Sequence, residues 1–381
     1  MPPIAQPDAS ASGHPSPNQP FGARSLNRKQ RLAVAAAAAL TTAAGATTAA
    51  GVADIARFVV SGLALAALAA LVGESIEQVG ERFGAGPTGL MQSTLGNLPE
   101  LFVALFALRE GLTAVVRAAL VGSVLGNVLL VLGAAFLSGG ARHGTQRFRP
   151  EAPRMLVTLL TLAVGALLVP TLAAHLDTPA AHHAAAFSQA SASILLAVYL
   201  ISIPFWLQGG PEACVGATLP LARRGAAPRW PLTTSIGLLV AAGAASGAVS
   251  DWFVGSLTPA THSLGLSQAF TGLVVVAIAS NAVENAAGIR FAWKARPDYA
   301  ISTILNAPLQ VALLLTPILV LTSPLIGPSQ LTLVFPPLLV AALAVAIVVV
   351  TVVIYDGEYS WLEGVALVAL YAIVAAAFWW G

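Results

Sequence analysis

Charge is scarce in this chain. Only 9% of its 381 residues are Asp, Glu, Lys or Arg, against about 25% in a soluble globular domain. Too few charges remain to cover a water-facing surface, which excludes an ordinary soluble protein. Cysteine is scarcer still: Cys214 has no second thiol to pair with, so an internal disulfide framework is excluded. The His and Asp residues all fall outside or at the ends of the apolar stretches. No mid-span His or Asp is left to build a metal centre or an aspartyl dyad, and no His-Glu-x-x-His motif occurs, which speaks against an intramembrane enzyme. A formal net charge of +2 gives no reason to expect a nucleic acid or other acidic partner.

What the chain has in abundance is carbon: 57% of it is hydrophobic. A helix needs about 20 apolar residues to cross the hydrocarbon core of a bilayer. Breaking the sequence at its polar, Gly-rich and Pro-rich interruptions predicts eleven spans, near 32–50, 54–77, 87–109, 113–137, 154–174, 188–207, 232–249, 266–291, 299–321, 331–354 and 361–380. The expected fold is an all-α polytopic membrane protein whose partner is the lipid bilayer. Residues 1–31, rich in Pro, Ser, Gly and Ala, predict a disordered cytoplasmic tail.

The basic residues orient this arrangement. With the N-terminus inside, only Arg57, Arg109 and Arg117 fall on the outer side, leaving the other fifteen of the 18 Lys and Arg on the cytoplasmic side. The positive-inside rule therefore predicts a cytoplasmic N-terminus and an outer C-terminus. Alanine richness suggests a bacterial cytoplasmic membrane.

Two short stretches then stand out: "GNLPELFVAL" at 96–105 and "SNAVENAAGI" at 280–289. Each places an Asn three residues before a Glu inside a span, giving Asn97 with Glu100 and Asn281 with Glu284. A carboxylate in the bilayer interior costs about 2.5 kcal/mol or more unless it is paired, hydrated or bound to a cation. No Lys or Arg lies deep enough to pair with either Glu, so the expected partners are a cation and protons. The third and eighth spans run in opposite directions, which is what an inverted repeat with a midplane site produces. The domain plan follows: 1–31 tail, 32–53 extra first helix, 54–207 first five-helix repeat, 208–231 cytoplasmic connecting loop, 232–381 second repeat. Asn amides and carboxylates suit a hard cation, and Gly96 with Pro99 would interrupt the third helix. One divalent ion or two protons would neutralise both Glu residues, which predicts exchange of the two cargoes. A channel is disfavoured by the internal inverted pair, and a non-transporting scaffold leaves two buried carboxylates without purpose.

"GNLPELFVALFALREG" followed by "VRAALVGSVLGNVLLVLG", with "SNAVENAAGIRFAWKARPDYAISTILNAPLQVALLLTP" and "DGEYSWLEGVALVALYAIVAAAFW", resembles the calcium/cation antiporter superfamily, in its cation/proton exchanger branch. The likeness runs from about Gly73 to the C-terminus and is weak at 139–263. It implies a non-enzymatic Ca2+/H+ antiporter without a cofactor, working by alternating access. By position, Glu100 and Glu284 would carry cation and protons, with oxygens from Asn97, Asn281, Ser123, Asn127 and Gln310. Glu74 and Glu77, in "GESIE", would lie near a cytoplasmic entrance. The chain departs from the branch's pattern at Ser280, where Gly is usual, and at Asn285, where His is usual; Asn306-Ala307 replaces a Gly-Ser pair. The Ser280 hydroxyl and Asn285 amide could retune the site, so Na+ or another divalent cation is the alternative cargo.

Overall fold

A computed structural model describes residues 28–80, 82, 91–92, 94–208 and 230–379. The expected tail, apart from Arg28–Arg31, and nearly all of the connecting loop lie outside the described residues. Among the described residues the longer helices run in sequence: α1 Arg28–Ala49, α2 Asp54–Gly80, α3 Leu98–Arg109, α4 Thr113–His143, α5 Glu151–His175 and α6 Ala184–Gln208, then α7 Leu232–Ser263. Next, α8 passes from Gln268–Phe270 through a π-helical turn, Thr271–Val276, to Ala277–Trp293. The last three are α9 Pro297–Ile326, α10 Pro337–Tyr355 and α11 Trp361–Trp379. Among the described residues, nine helices are individually long and apolar enough to cross a membrane, ten if the bent α8 counts as one.

Local chemistry fixes where these helices begin. Pro stands in the first turn of α3, α9 and α10, where its missing N–H leaves no hydrogen bond unmade. At the start of α8 the Ser267 hydroxyl accepts the Phe270 N–H at 2.9 Å, a capping contact. At α11 the Glu363 carboxylate accepts both the N–H and the hydroxyl of Ser360, at 2.6 and 3.0 Å. Glu363 thus anchors a helix end.

The longest helix exceeds its prediction. The seventh span was expected to stop near residue 249, yet α7 continues to Ser263 and carries Asp251 inside it. At 32 residues it is about 48 Å long, more than the roughly 30 Å hydrocarbon core requires. Two of its distal polar residues bond to their own helix. The Ser256 hydroxyl donates to the Phe253 carbonyl at 2.9 Å, and that of Thr261 donates to Leu257 at 2.7 Å.

Packing pairs the first half of the chain with the second. Helix α2 lies along α7, and α5 along α10. Helix α4 packs on α8, α10 and α11, while α9 packs on α3, α5 and α6; α3 meets α7 and α2 meets α8. Replace every helix by the one five places along and this set of contacts maps onto itself. Two crossings are close enough to require glycine. A Cβ on Gly122 of α4 would stand 2.1 Å from the Leu273 carbonyl oxygen of α8, and one on Gly133 would stand 2.9 Å from the Gly364 carbonyl oxygen of α11.

At one end of the bundle a two-stranded antiparallel ribbon ties the halves together. Strand β1, Gln146–Arg147, pairs with β2, Glu358–Tyr359, and Arg147 meets Glu358 at 3.2 Å. That ion pair is exposed and contributes at most about 1 kcal/mol. Burial beside it matters more. The Tyr359 ring stacks on Phe136 at 3.9 Å, yet its buried hydroxyl has no hydrogen-bond partner among the described residues. Burial pushes that hydroxyl up from 10.0 to about 12, so the folded protein keeps the proton longer than the unfolded chain does. Stability from this group falls as pH rises from 10 towards 12. Tyr359→Phe keeps the stacking and removes the unsatisfied group, so it should raise stability by about 1 kcal/mol and flatten the alkaline loss. Thermal midpoints of the purified variant at neutral and alkaline pH test both.

Candidate cation-binding site

Helix α3 opens where the sequence places its breaker. Gly96 and Asn97 form a turn, and the helix starts at Leu98 with Pro99 in its first turn. The Asn97 carbonyl is not freed by this break: it accepts the Leu101 N–H at 2.9 Å. The Asn97 side chain is what the break releases. It makes no capping bond to its own helix, and instead donates from Nδ2 to Gln310 Oε1 at 2.8 Å, across 213 residues. Glu100 follows one turn later on the same face and is 8% exposed. Its place in the first turn of α3 sets a carboxylate at the positive end of the helix dipole.

The second motif behaves alike. Asn281 Nδ2 reaches the Ser123 hydroxyl at 3.0 Å and the Ser280 hydroxyl at 3.1 Å, while also meeting its own Ala277 carbonyl. The two apolar segments of α8, Gln268–Asn281 and Asn285–Trp293, meet at 66°, so the helix bends between Asn281 and Asn285. The Glu284 side chain lies outside the described residues. Asn285 presents a buried Oδ1 with no hydrogen-bond partner among the described residues.

The structure therefore gathers six predicted residues into two bonded groups. Asn97 with Gln310 joins α3 to α9, and Asn281 with Ser123 and Ser280 joins α8 to α4. Asn127, one turn from Ser123, donates to the Ser123 carbonyl at 2.8 Å. Asn97, Glu100, Ser123, Asn127, Asn281 and Gln310 are all buried. Glu74, by contrast, is half-buried near the end of α2, where it accepts a 2.9 Å bond from Gln30 of α1. Glu77 lies one turn further on. The Glu74 bond to α1 sets it apart from the two bonded groups.

Two further buried polar residues on α9 carry no site role in the sequence reading. Asn306 and Ser302 are buried on α9, one and two turns before Gln310. The Ser302 hydroxyl has no hydrogen-bond partner among the described residues. The signal was present: Asn306 and Gln310 repeat the four-residue spacing of Ser123 and Asn127. Also missed were π-helical turns beside both pairs, Gly126–Val131 in α4 and Val311–Leu315 in α9. Such turns widen a helix by one residue and occur often at functional sites.

Amide, hydroxyl and carboxylate oxygens converging between helices are the donor set of a hard cation. Among the described residues no three His, Cys, Asp or Glu side chains come together, and the buried oxygens described above are amides, hydroxyls and the Glu100 carboxylate. A polytopic helical protein with a buried polar seam between its two halves has the architecture of a membrane carrier. The chain belongs to the sodium/calcium exchanger protein family, whose profile matches residues 54–207 and again 234–380. It is 37% identical over 339 residues to a Ca2+/H+ antiporter of Synechocystis, covering 84% of this chain and 90% of that one. A Ca2+/H+ antiporter of Aphanothece halophytica is 32% identical over 340 residues, covering 85% and 90%. Among solved structures, YfkE, a Ca2+/H+ antiporter, superposes with a TM-score of 0.76 at 29% identity, covering 91% of this chain and 99% of that one.

Proposed function

We propose that the protein is a secondary carrier, not an enzyme, that exchanges Ca2+ for H+ across the membrane. The observation that carries this reading is the buried Glu100 beside cross-half amide pairs, in a chain whose relatives at 37% and 32% identity are Ca2+/H+ antiporters. Glu100 and Glu284 bind the cation or protons in turn. Asn97, Asn281, Ser123, Ser280, Asn127 and Gln310 supply neutral oxygens, joined by Asn285 and Asn306. No dedicated cofactor is required, since Ca2+ and H+ are the cargo.

Charge arithmetic gives the coupling. One divalent cation or two protons cancel both carboxylates, and either loaded state can pass the apolar barrier. The empty site keeps two negative charges in a low dielectric and is penalised, so one cargo leaves only as the other arrives. Residues 54–207 and 232–381 form the two repeats in inverted orientation, with α1 extra. Their reciprocal contacts and the double match of one family profile support that plan. The N-terminus faces the cytoplasm and the C-terminus the outer side of a bacterial cytoplasmic membrane, as the basic residues require. Glu74 and Glu77 then lie towards the cytoplasmic entrance.

Proteoliposomes with an imposed pH gradient test the reading. Gradient-driven Ca2+ movement with counter-moving protons is expected. Transport of Na+ or Mn2+ with no Ca2+ movement would retain the carrier and reassign its cargo, an outcome that Asn285 and Ser280 would then explain. Flux of no cation would overturn the function.

A further inference from the structure

A groove of about 460 Å3 lies away from the polar seam, lined by Ala134, Leu137, Ser138, Ala141 and Arg142 of α4 and by Trp293 of α8. The first four follow one another at intervals of three, one and three residues, which sets them in a single stripe along α4. The stripe is partly open: Leu137 is 38% and Trp293 52% exposed, while Ala134 and Ser138 are half-buried. At its end the Arg142 guanidinium rests over the Trp293 ring, 4.6 Å from the centroid. His143 Nε2 lies 3.1 Å from the Trp293 carbonyl oxygen, holding the two helix ends together.

The charge here is one-sided. Arg290 and Lys294 lie three residues before and one after Trp293, so all three crowd one end of α8, and all are exposed. Neither they nor Arg142 pairs with a carboxylate among the described residues. Glu358 pairs with the Arg147 side chain, and Asp298 accepts the Arg149 backbone N–H. Trp stacked with Arg at the end of a span is a membrane–water boundary arrangement. The groove thus offers an apolar track that ends in cations with no ion-pair partner among the described residues.

We propose that this groove binds one anionic phospholipid, its acyl chain along Ala134, Leu137 and Ala141 and its phosphodiester against Arg142 and Lys294. A free phosphate would leave the apolar track unused. A second copy docked with its two-fold axis through the cationic end of the groove would set Arg142 and Lys294 against their own copies, like charge on like.

Native mass spectrometry of the full chain in detergent, with phosphatidylglycerol and phosphatidylcholine of equal chain length in competition, tests this. Phosphatidylglycerol should be retained over phosphatidylcholine by about tenfold, the scale of the attraction of one or two basic side chains for an anionic lipid. Arg142→Gln should remove the preference, and Arg109→Gln, near the opposite end of the bundle, should keep it. Ala141→Leu, which narrows the track without touching charge, should weaken retention of both lipids. Equal retention of the two lipids by the wild type, or an unchanged preference in Arg142→Gln, would overturn the proposal. So would displacement of the lipid by excess inorganic phosphate. So would dimers cross-linked through Ala141→Cys that exclude lipid.

Discussion

Glu100→Gln brings gradient-driven cation flux down to that of protein-free liposomes while the variant still purifies as a folded protein. Glutamine keeps the volume and most of the hydrogen-bonding capacity of the side chain, so the buried first turn of α3 survives. What disappears is the ability to change charge. With one carboxylate left, a divalent cation no longer neutralises the site and a single proton does, so the loaded states cease to be equivalent and exchange uncouples. Glu284→Gln, on the matching helix of the other half, has the same effect for the same reason. Wild-type flux in either variant, measured in proteoliposomes alongside the thermal midpoint, would remove that residue from the cation site.

Gly122→Ala has the largest expected effect on folding. The added carbon would lie 2.1 Å from the Leu273 carbonyl oxygen and 2.5 Å from the Leu273 Cα. Both are backbone atoms, so no rotamer relieves the clash and α4 must separate from α8. The same crossing has a reciprocal constraint, since a Cβ on Gly272 would stand 2.6 Å from the Val115 carbonyl oxygen. Overpacking of this kind costs about 3 kcal/mol or more, and it pulls Ser123 away from Asn281. Most of the variant should be lost as aggregate on size-exclusion chromatography, and the remainder should melt early. Gly255→Ala on α7, where a Cβ meets nothing within 4 Å, is the control and should behave as wild type. A monodisperse Gly122→Ala with a normal melting point would show that the two helices tolerate separation.

Much of this architecture was readable because a bilayer imposes a simple rule on composition. Helices α1, α2, α5, α6, α8 and α11 begin and end within a few residues of their apolar stretches, since hydrocarbon admits little else. The end of α7 was misread for an instructive reason. Ser250, Asp251, Ser256 and Thr261 look like the edge of a span, but Ser256 and Thr261 hand their hydroxyl protons back to carbonyls three or four residues earlier. Polarity met inside the helix signals no terminus. In the candidate site, Asn97, Glu100 and Asn281 were visible from one sequence because they break an apolar background at matched spacing. Ser123, Asn127 and Gln310 came from resemblance, and the Asn97–Gln310 bond could not be foreseen, because no local pattern encodes a contact between residues 213 positions apart. The π-helical turns of α4 and α9 left no compositional mark at all.

The cross-half packing also sets a timetable for synthesis. Helix α2 carries Ser61, Ser75 and Gln78 among its buried residues, and it lies along α7, which is made only after most of the intervening chain. At roughly 5–20 residues per second, α2 resides in the bilayer for about ten to forty seconds before that neighbour exists. During that interval its polar side chains face lipid, a provisional helix or the insertion machinery. The Ser75 hydroxyl already donates to the Leu71 carbonyl of its own helix at 2.7 Å, a bond that needs no later arrival. A carrier whose halves interlock so thoroughly is therefore assembled late and almost at once, and the waiting helices must be tolerable to the membrane while alone.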